Sequence, residues 1–277
     1  MKNSSRRSKR IIAAAAASAV VAVPFLSGCN SDADNSNNES MDVVATTTQI
    51  CDYAKEIAKD NVKLTCLLAP NTSAHDHEMT PKQMNALSKA KLFMVNGVDL
   101  EHFLDSAVDA SGFKGTMVVT SGILTANEVK DSSAAAKNDK DKPYTVDRGD
   151  QKVNVAPWPF APEPGEQPEF EYDPHVWTSP KNAKVQVHNI GKALEKADPD
   201  HKDAYIQNTK DYEKKLDELD KWVNDSIVSV PESQRVLFTS HDAFGYFSRD
   251  YGVKFIGAAL SLSLIHISDG AREACRS

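Results

Sequence analysis

The chain has 277 residues, 40% hydrophobic and 26% charged, enough for two ordinary domains or one large one with a sizeable core. Its formal net charge is −7, and without the five basic residues of the first 28 it carries 27 basic against 39 acidic groups. That balance argues against nucleic acid as a partner, because phosphate binding needs a basic footprint, and it is compatible with cations as ligands.

Residues 1–28 read as a signal peptide: basic to Arg10, apolar from Ile11 to Leu26, then Leu26-Ser27-Gly28-Cys29. The apolar run is short for a spanning helix, which needs about 20 residues. The Leu-Ser-Gly-Cys ending resembles a lipobox. That resemblance implies acylation of Cys29 and a lipid anchor on the extracytoplasmic face of the cell membrane. Residues 29–41 are almost wholly polar and are expected to form a disordered tether.

Regular alternation follows. Val43–Thr48 is β-branched and strand-like, Ile50–Lys59 suits a helix, and Lys63–Ala69 is a second strand ended by Pro70-Asn71. Helix is expected over Pro81–Ala90 and Leu100–Ala110, strand over Lys91–Asn96 and Thr116–Thr120. Strands alternating with helices indicate an α/β fold with a largely parallel sheet. Asn127–Tyr172 breaks the rhythm with six prolines and few apolar residues, and reads as a long surface loop pinned by Trp158 and Phe160. Asn182–Lys196 is helical. A longer helix, Asp200–Ile227, carries Tyr205, Tyr212, Leu216, Leu219, Val223 and Ile227 on one stripe. Val236–Thr239 is a strand, Asp242–Asp250 a helix and Lys254–Ala259 a strand. Residues 261–277 lack this rhythm and read as a non-native tail.

Four of the eight histidines draw attention. His75 and His77 follow the second strand, His175 follows Asp173-Pro174 before a helix, and His241 ends the strand Val236–Thr239. In an open parallel sheet such strand-to-helix turns gather at the carboxyl edge, where ligands bind. Imidazoles brought together there suit zinc, which takes nitrogen ligands in tetrahedral geometry. His102, His188 and His201 read as solvated surface residues, and His266 falls in the tail.

Three segments carry a family resemblance. Ala74–Pro81 (AHDHEMTP) is similar to a PHxFEPTP-like segment, Tyr172–Ala183 (YDPHVWTSPKNA) to a DPHxWLDPxNA motif, and Ser240–Val253 (SHDAFGYFSRDYGV) to a third motif, in the same order and spacing. The family is that of the zinc and manganese solute-binding lipoproteins of metal-uptake ABC transporters. The resemblance implies two Rossmann-like lobes with mostly parallel sheets joined by one long helix. It implies a metal-binding lobe over 42–199, its long loop at 127–172, a linking helix over 200–228 and the start of a second lobe over 229–260, incomplete here. It implies His75, His175 and His241 as metal ligands, with His77, in the place of an aromatic residue, as a possible substitute. A histidine at 241 points to the zinc-type members, since harder ions prefer oxygen ligands. The family's fourth ligand is a carboxylate further along the second lobe, and nothing here matches it.

The implied function is capture of Zn²⁺ as cargo for an ABC permease, by a monomer and without catalysis. A manganese receptor or adhesin of the same family is one alternative. A zinc hydrolase is another, since three histidines and an open position also suit catalytic zinc. Against it, no general base is placed, Asp76 and Glu78 being neighbours only by sequence. Cys51 and Cys66 could meet on one sheet face as a disulfide, permitted outside the cell, or remain two buried thiols.

Overall fold

The computed structural model describes residues 40–258 apart from 76, 132, 161–164, 166 and 169. The signal peptide, Cys29, nearly all of the tether, and the tail at 261–277 lie outside these residues.

Strand β1 (Met41–Ala45) is the second strand of a five-stranded, wholly parallel sheet. With β2 (Val62–Cys66), β3 (Leu92–Val95), β4 (Thr116–Val119) and β5 (Thr145–Asp147), the order is β2-β1-β3-β4-β5. The inner strands are near-continuous apolar runs because helices cover both faces. Alternate residues serve opposite faces. Val43, Ala45 and Met94 join a cluster with Ile50, Ile57, Ile190 and Leu194, while Val44, Phe93 and Val95 join Leu87, Val108 and Phe113. The first group comes from helices α1 (Thr48–Ala58) and α6 (Pro180–Ala197), the second largely from α2 (Pro81–Lys89) and α3 (Leu104–Ser111).

Local chemistry sets the ends of these elements. Thr47 caps α1, its Oγ1 accepting from the Ile50 amide at 3.2 Å. Thr80 and Gln83 form a capping box at α2, with Pro81 in its first turn. α3 begins at Leu104, four residues later than the periodicity predicts. Val98 and Asp99 take left-handed backbone (φ 54° and 55°), and the Glu101 carboxylate turns back to the Asn96 amide, so the segment cannot yet coil.

The segment at 127–172 is more ordered than its composition suggests. It contains most of helix α4 (Ala126–Lys130), helix α5 (Ala134–Asp139) and β5. A half-buried ion-pair network holds them: Arg148 donates to Glu128 at 2.7 Å and to Asp139 at 2.6 Å. A three-residue strand flanked by charge has no period to read, so β5 escaped sequence analysis. Its other described residues are irregular, with an antiparallel bridge between Pro157 and Tyr172.

A 27-residue helix, α7 (Lys202–Val228), joins this lobe to the second one. Its stripe begins buried at Tyr205 and Leu216 and is only half-buried at Val223 and Ile227, with Leu219 43% exposed; Trp222, beside the stripe, is 66% exposed. Among the described residues the second lobe comprises β6 (Val236–Thr239), α8 (Gly245–Tyr251) and β7 (Lys254–Ala258), with β6 and β7 parallel. The architecture is thus two α/β lobes with parallel sheets and a long linking helix, the second lobe the smaller.

Candidate metal centre

His75 lies in the loop between β2 and α2. Cys51 of α1 and Cys66 of β2 are paired in the structure, Cα atoms 5.7 Å apart, at the root of that loop. Gln83 Nε2 donates to the Leu67 carbonyl at 2.7 Å and draws the two ends of the loop together. His175 stands at the turn before α6, and His241 follows β6. All three occupy carboxyl ends of parallel strands or the turn beside them, where the fold gathers ligands.

The three imidazoles converge. His175 Nε2 lies 3.3 Å from His75 Nε2 and 3.2 Å from His241 Nε2. One ligand atom from each falls within 4.8 Å of the others. Nitrogens about 2.0–2.1 Å from a tetrahedral zinc stand roughly 3.3 Å apart, so the spacing suits one ion between them. Asp173 fixes the central ring. Its Oδ1 accepts from the His175 amide at 2.9 Å and from Nδ1 at 2.8 Å, leaving the Nε2 lone pair toward the other two rings. Both residues are fully buried.

Behind this pair runs a polar network. The Pro174 carbonyl accepts from Asn96 Nδ2 at 2.9 Å, and Asn96 Oδ1 accepts from Gln186 Nε2 at 3.0 Å. The Glu101 carboxylate takes the Asn96 amide and the Thr46 hydroxyl, both at 2.6 Å. Burial raises the Glu101 carboxyl above its ordinary range against those donors. Aromatic rings wall the cluster: Phe170 is 5.4 Å from His75, Trp177 5.4 Å and Trp158 6.0 Å from His175. Burial and the nearby His175 hold His241 below the usual histidine range, which favours the neutral, ligating form. The cluster opens on a cleft of about 350 Å³ lined also by Thr47, Gln49, Leu68 and Asn71.

His77 is not among the three. Its ring packs against Phe103, centroids 5.3 Å apart. His102 lies against Phe170 at 5.7 Å. Two histidines expected to be solvated are instead tied down. His188 is 2.8 Å from Asp150 and 3.0 Å from Glu213, and His201 is 2.7 Å from Asp198. Acceptors distant in sequence caused the miss at His188. Asp173 was legible only as part of a motif, and its orienting role emerged from distance. Phe170, Glu101 and Asn96 carried no sequence signal.

Two α/β lobes on a long helix, with imidazoles from both lobes meeting beside the strand ends, define a two-lobe solute-binding protein fold. The chain belongs to the family of the zinc-uptake complex component A, periplasmic, which it matches over residues 43–265. That family is one of non-catalytic solute-binding components. The manganese-binding lipoprotein MntA of Bacillus subtilis is 32% identical over 233 residues, covering 84% of this chain and 65% of that protein. The iron-binding protein YfeA of Yersinia pestis is 29% identical, covering 90% of this chain and 70% of its own length. Among solved structures, the periplasmic zinc-binding protein TroA of Treponema pallidum matches with a TM-score of 0.59 at 27% identity, over 82% of this chain and 68% of that one. The chain thus spans a little under two thirds of the length of MntA.

Proposed function

We propose that this chain is the metal-capturing part of an extracytoplasmic receptor, anchored through Cys29, that passes a divalent first-row ion to an ABC permease in the membrane. His75, His175 and His241 hold the ion as cargo. The observation that carries the reading is the convergence of three Nε2 atoms with one ring already oriented by a buried carboxylate. A ready lone pair and a fixed ring are what a ligating histidine needs. The zinc hydrolase reading gains nothing from these features, and the family is one of binding components.

Donor chemistry and kinship differ on the cargo. Three nitrogens favour zinc, because manganese stands at the weak end of the divalent series for such sites. The names of the relatives favour manganese: MntA and several streptococcal PsaA proteins are manganese lipoproteins, against zinc for TroA. Manganese is therefore the second reading, and kinship supports it better than zinc. Competition titration of the full chain with both ions decides. Zinc binding more than about tenfold tighter supports the nitrogen-site reading. Equal or tighter manganese binding hands the cargo to the second reading. Binding of neither ion removes the function itself.

A further inference from the structure

His75 and His175 sit on the well-packed first lobe, but His241 belongs to the second, of which β6, α8 and β7 are described. It stands 3.2 Å from His175 across the two lobes. The residues that follow it in α8 press directly on the turn carrying His175. Tyr246 is fully buried, and its hydroxyl donates to the Asp173 carbonyl at 2.6 Å while accepting from the Ala156 amide at 3.3 Å. Gly245 lies so close that a Cβ placed there would stand 2.4 Å from Asp173 Oδ2, the free oxygen of the carboxylate that orients His175. Further along the same helix Arg249 donates to the Asn154 carbonyl at 2.6 Å, and Asp250 accepts from Ser179. One side of α8 is thus fastened to the first lobe on either flank of the Asp173-Pro174-His175 turn.

We propose that Gly245 and Tyr246 are positioning residues for metal capture, setting the distance between His241 and His175 by docking α8 of the second lobe onto Asp173 of the first. The inference rests on the metal-receptor reading above. Neither residue offers an atom to the ion. Tyr246 fixes where the helix sits along the turn, and the missing side chain of Gly245 fixes how near it comes. A methyl group at 245 meets a carboxylate whose other oxygen is held by the His175 amide and ring, so either α8 retreats with His241 or the carboxylate turns away from His175, and the spacing of the two rings changes in both cases. Loss of the Tyr246 hydroxyl leaves the Asp173 carbonyl and the Ala156 amide without that partner and loosens the same contact.

The test uses the full chain and Co²⁺ as a spectroscopic probe, with Zn²⁺ affinity read by chelator competition. Gly252 supplies the control. It ends α8 in left-handed backbone (φ 64°) with nothing within 4 Å of an added Cβ, so Gly252→Ala strains the same helix without touching Asp173. Gly245→Ala and Tyr246→Phe are expected to lower metal affinity about 10- to 100-fold, the range for a lost outer-shell partner. Their Co²⁺ absorption bands should shift toward those of His241→Ala. Gly252→Ala should lower the melting temperature while keeping affinity within about threefold and the Co²⁺ spectrum unchanged. Wild-type affinity and spectrum in both Gly245→Ala and Tyr246→Phe overturn the proposal. So does a loss in Gly252→Ala equal to theirs, which would make helix stability the whole effect. If the unaltered chain binds no Zn²⁺, Mn²⁺ or Co²⁺, the receptor reading falls and takes this inference with it. Normal metal binding with silent variants removes only the inference.

Discussion

Strands β3 and β6 are alike in sequence and opposite in circumstance. Leu-Phe-Met-Val of β3 is buried at every position, between a strand on either side and helices on both faces. Val-Leu-Phe-Thr of β6 has one parallel neighbour among the described residues, and its Val236 and Phe238 are 48% and 62% exposed. The backbone choice is the same in both cases. What differs is how much apolar surface the neighbours remove from water, and that term dominates folding free energy. The contrast extends to the candidate metal centre. His75 and His175 are held by a packed lobe, while His241 depends on the docking of α8.

The largest effect expected from this contrast lies in the core. Phe93 is fully buried against Phe113, ring centroids 5.8 Å apart, and belongs to the cluster formed with Leu87 and Val108. Phe93→Ala removes that contact and leaves a cavity, so chemical denaturation should show a loss of about 3–5 kcal/mol. A loss below about 1 kcal/mol would mean that the first lobe is not packed as described.

Next comes the metal centre. His175 is central to the three rings, and its loss also strands the buried Asp173 carboxylate. His175→Ala should weaken zinc binding beyond the ~100-fold that marks an outer-shell change. His77→Ala, remote from the cluster beside Phe103, should stay within about threefold by the same measure. Equal losses in isothermal titration would place His77 among the ligands and shift the register of the His75-Asp76-His77 segment.

How much of this could be read beforehand follows from the range of the signals. Strand and helix patterns are local, so β1 to β4 and the long helix were legible to within a few residues. β5 was not, because three residues hold no period and its place depends on Arg148 reaching Glu128 across 20 positions. The stripe of α7 is periodic in sequence, yet periodicity says nothing of what covers it: Tyr205 is fully buried, Val223 and Ile227 are half-buried and Leu219 is exposed. In the site, the strand-to-helix turns single out four histidines, and the motif resemblance narrows them to His75, His175 and His241. The roles of the residues that aim them are not legible there. Asp173 stands in the motif two residues before His175, but its role lies in a 2.8 Å contact, and Tyr246 acts through a carbonyl 73 positions away, which leaves no trace in spacing.

The smallest effect sharpens the comparison most. Phe238 is already largely in water, so replacing it should cost almost nothing. Phe238→Ser is expected to change unfolding free energy by no more than about 0.5 kcal/mol, as for surface positions generally. The same substitution should lessen self-association in sedimentation velocity at high concentration. Val236, Phe238 and Ile256 expose apolar surface on neighbouring strands, and such patches promote contact between molecules. A loss above about 1 kcal/mol would contradict the exposure. Phe238 would then be covered in solution, and the two lobes would differ less than their strands suggest. A neutral result, set beside the loss at Phe93, would show that two phenylalanines in similar strands differ in worth only by what surrounds them.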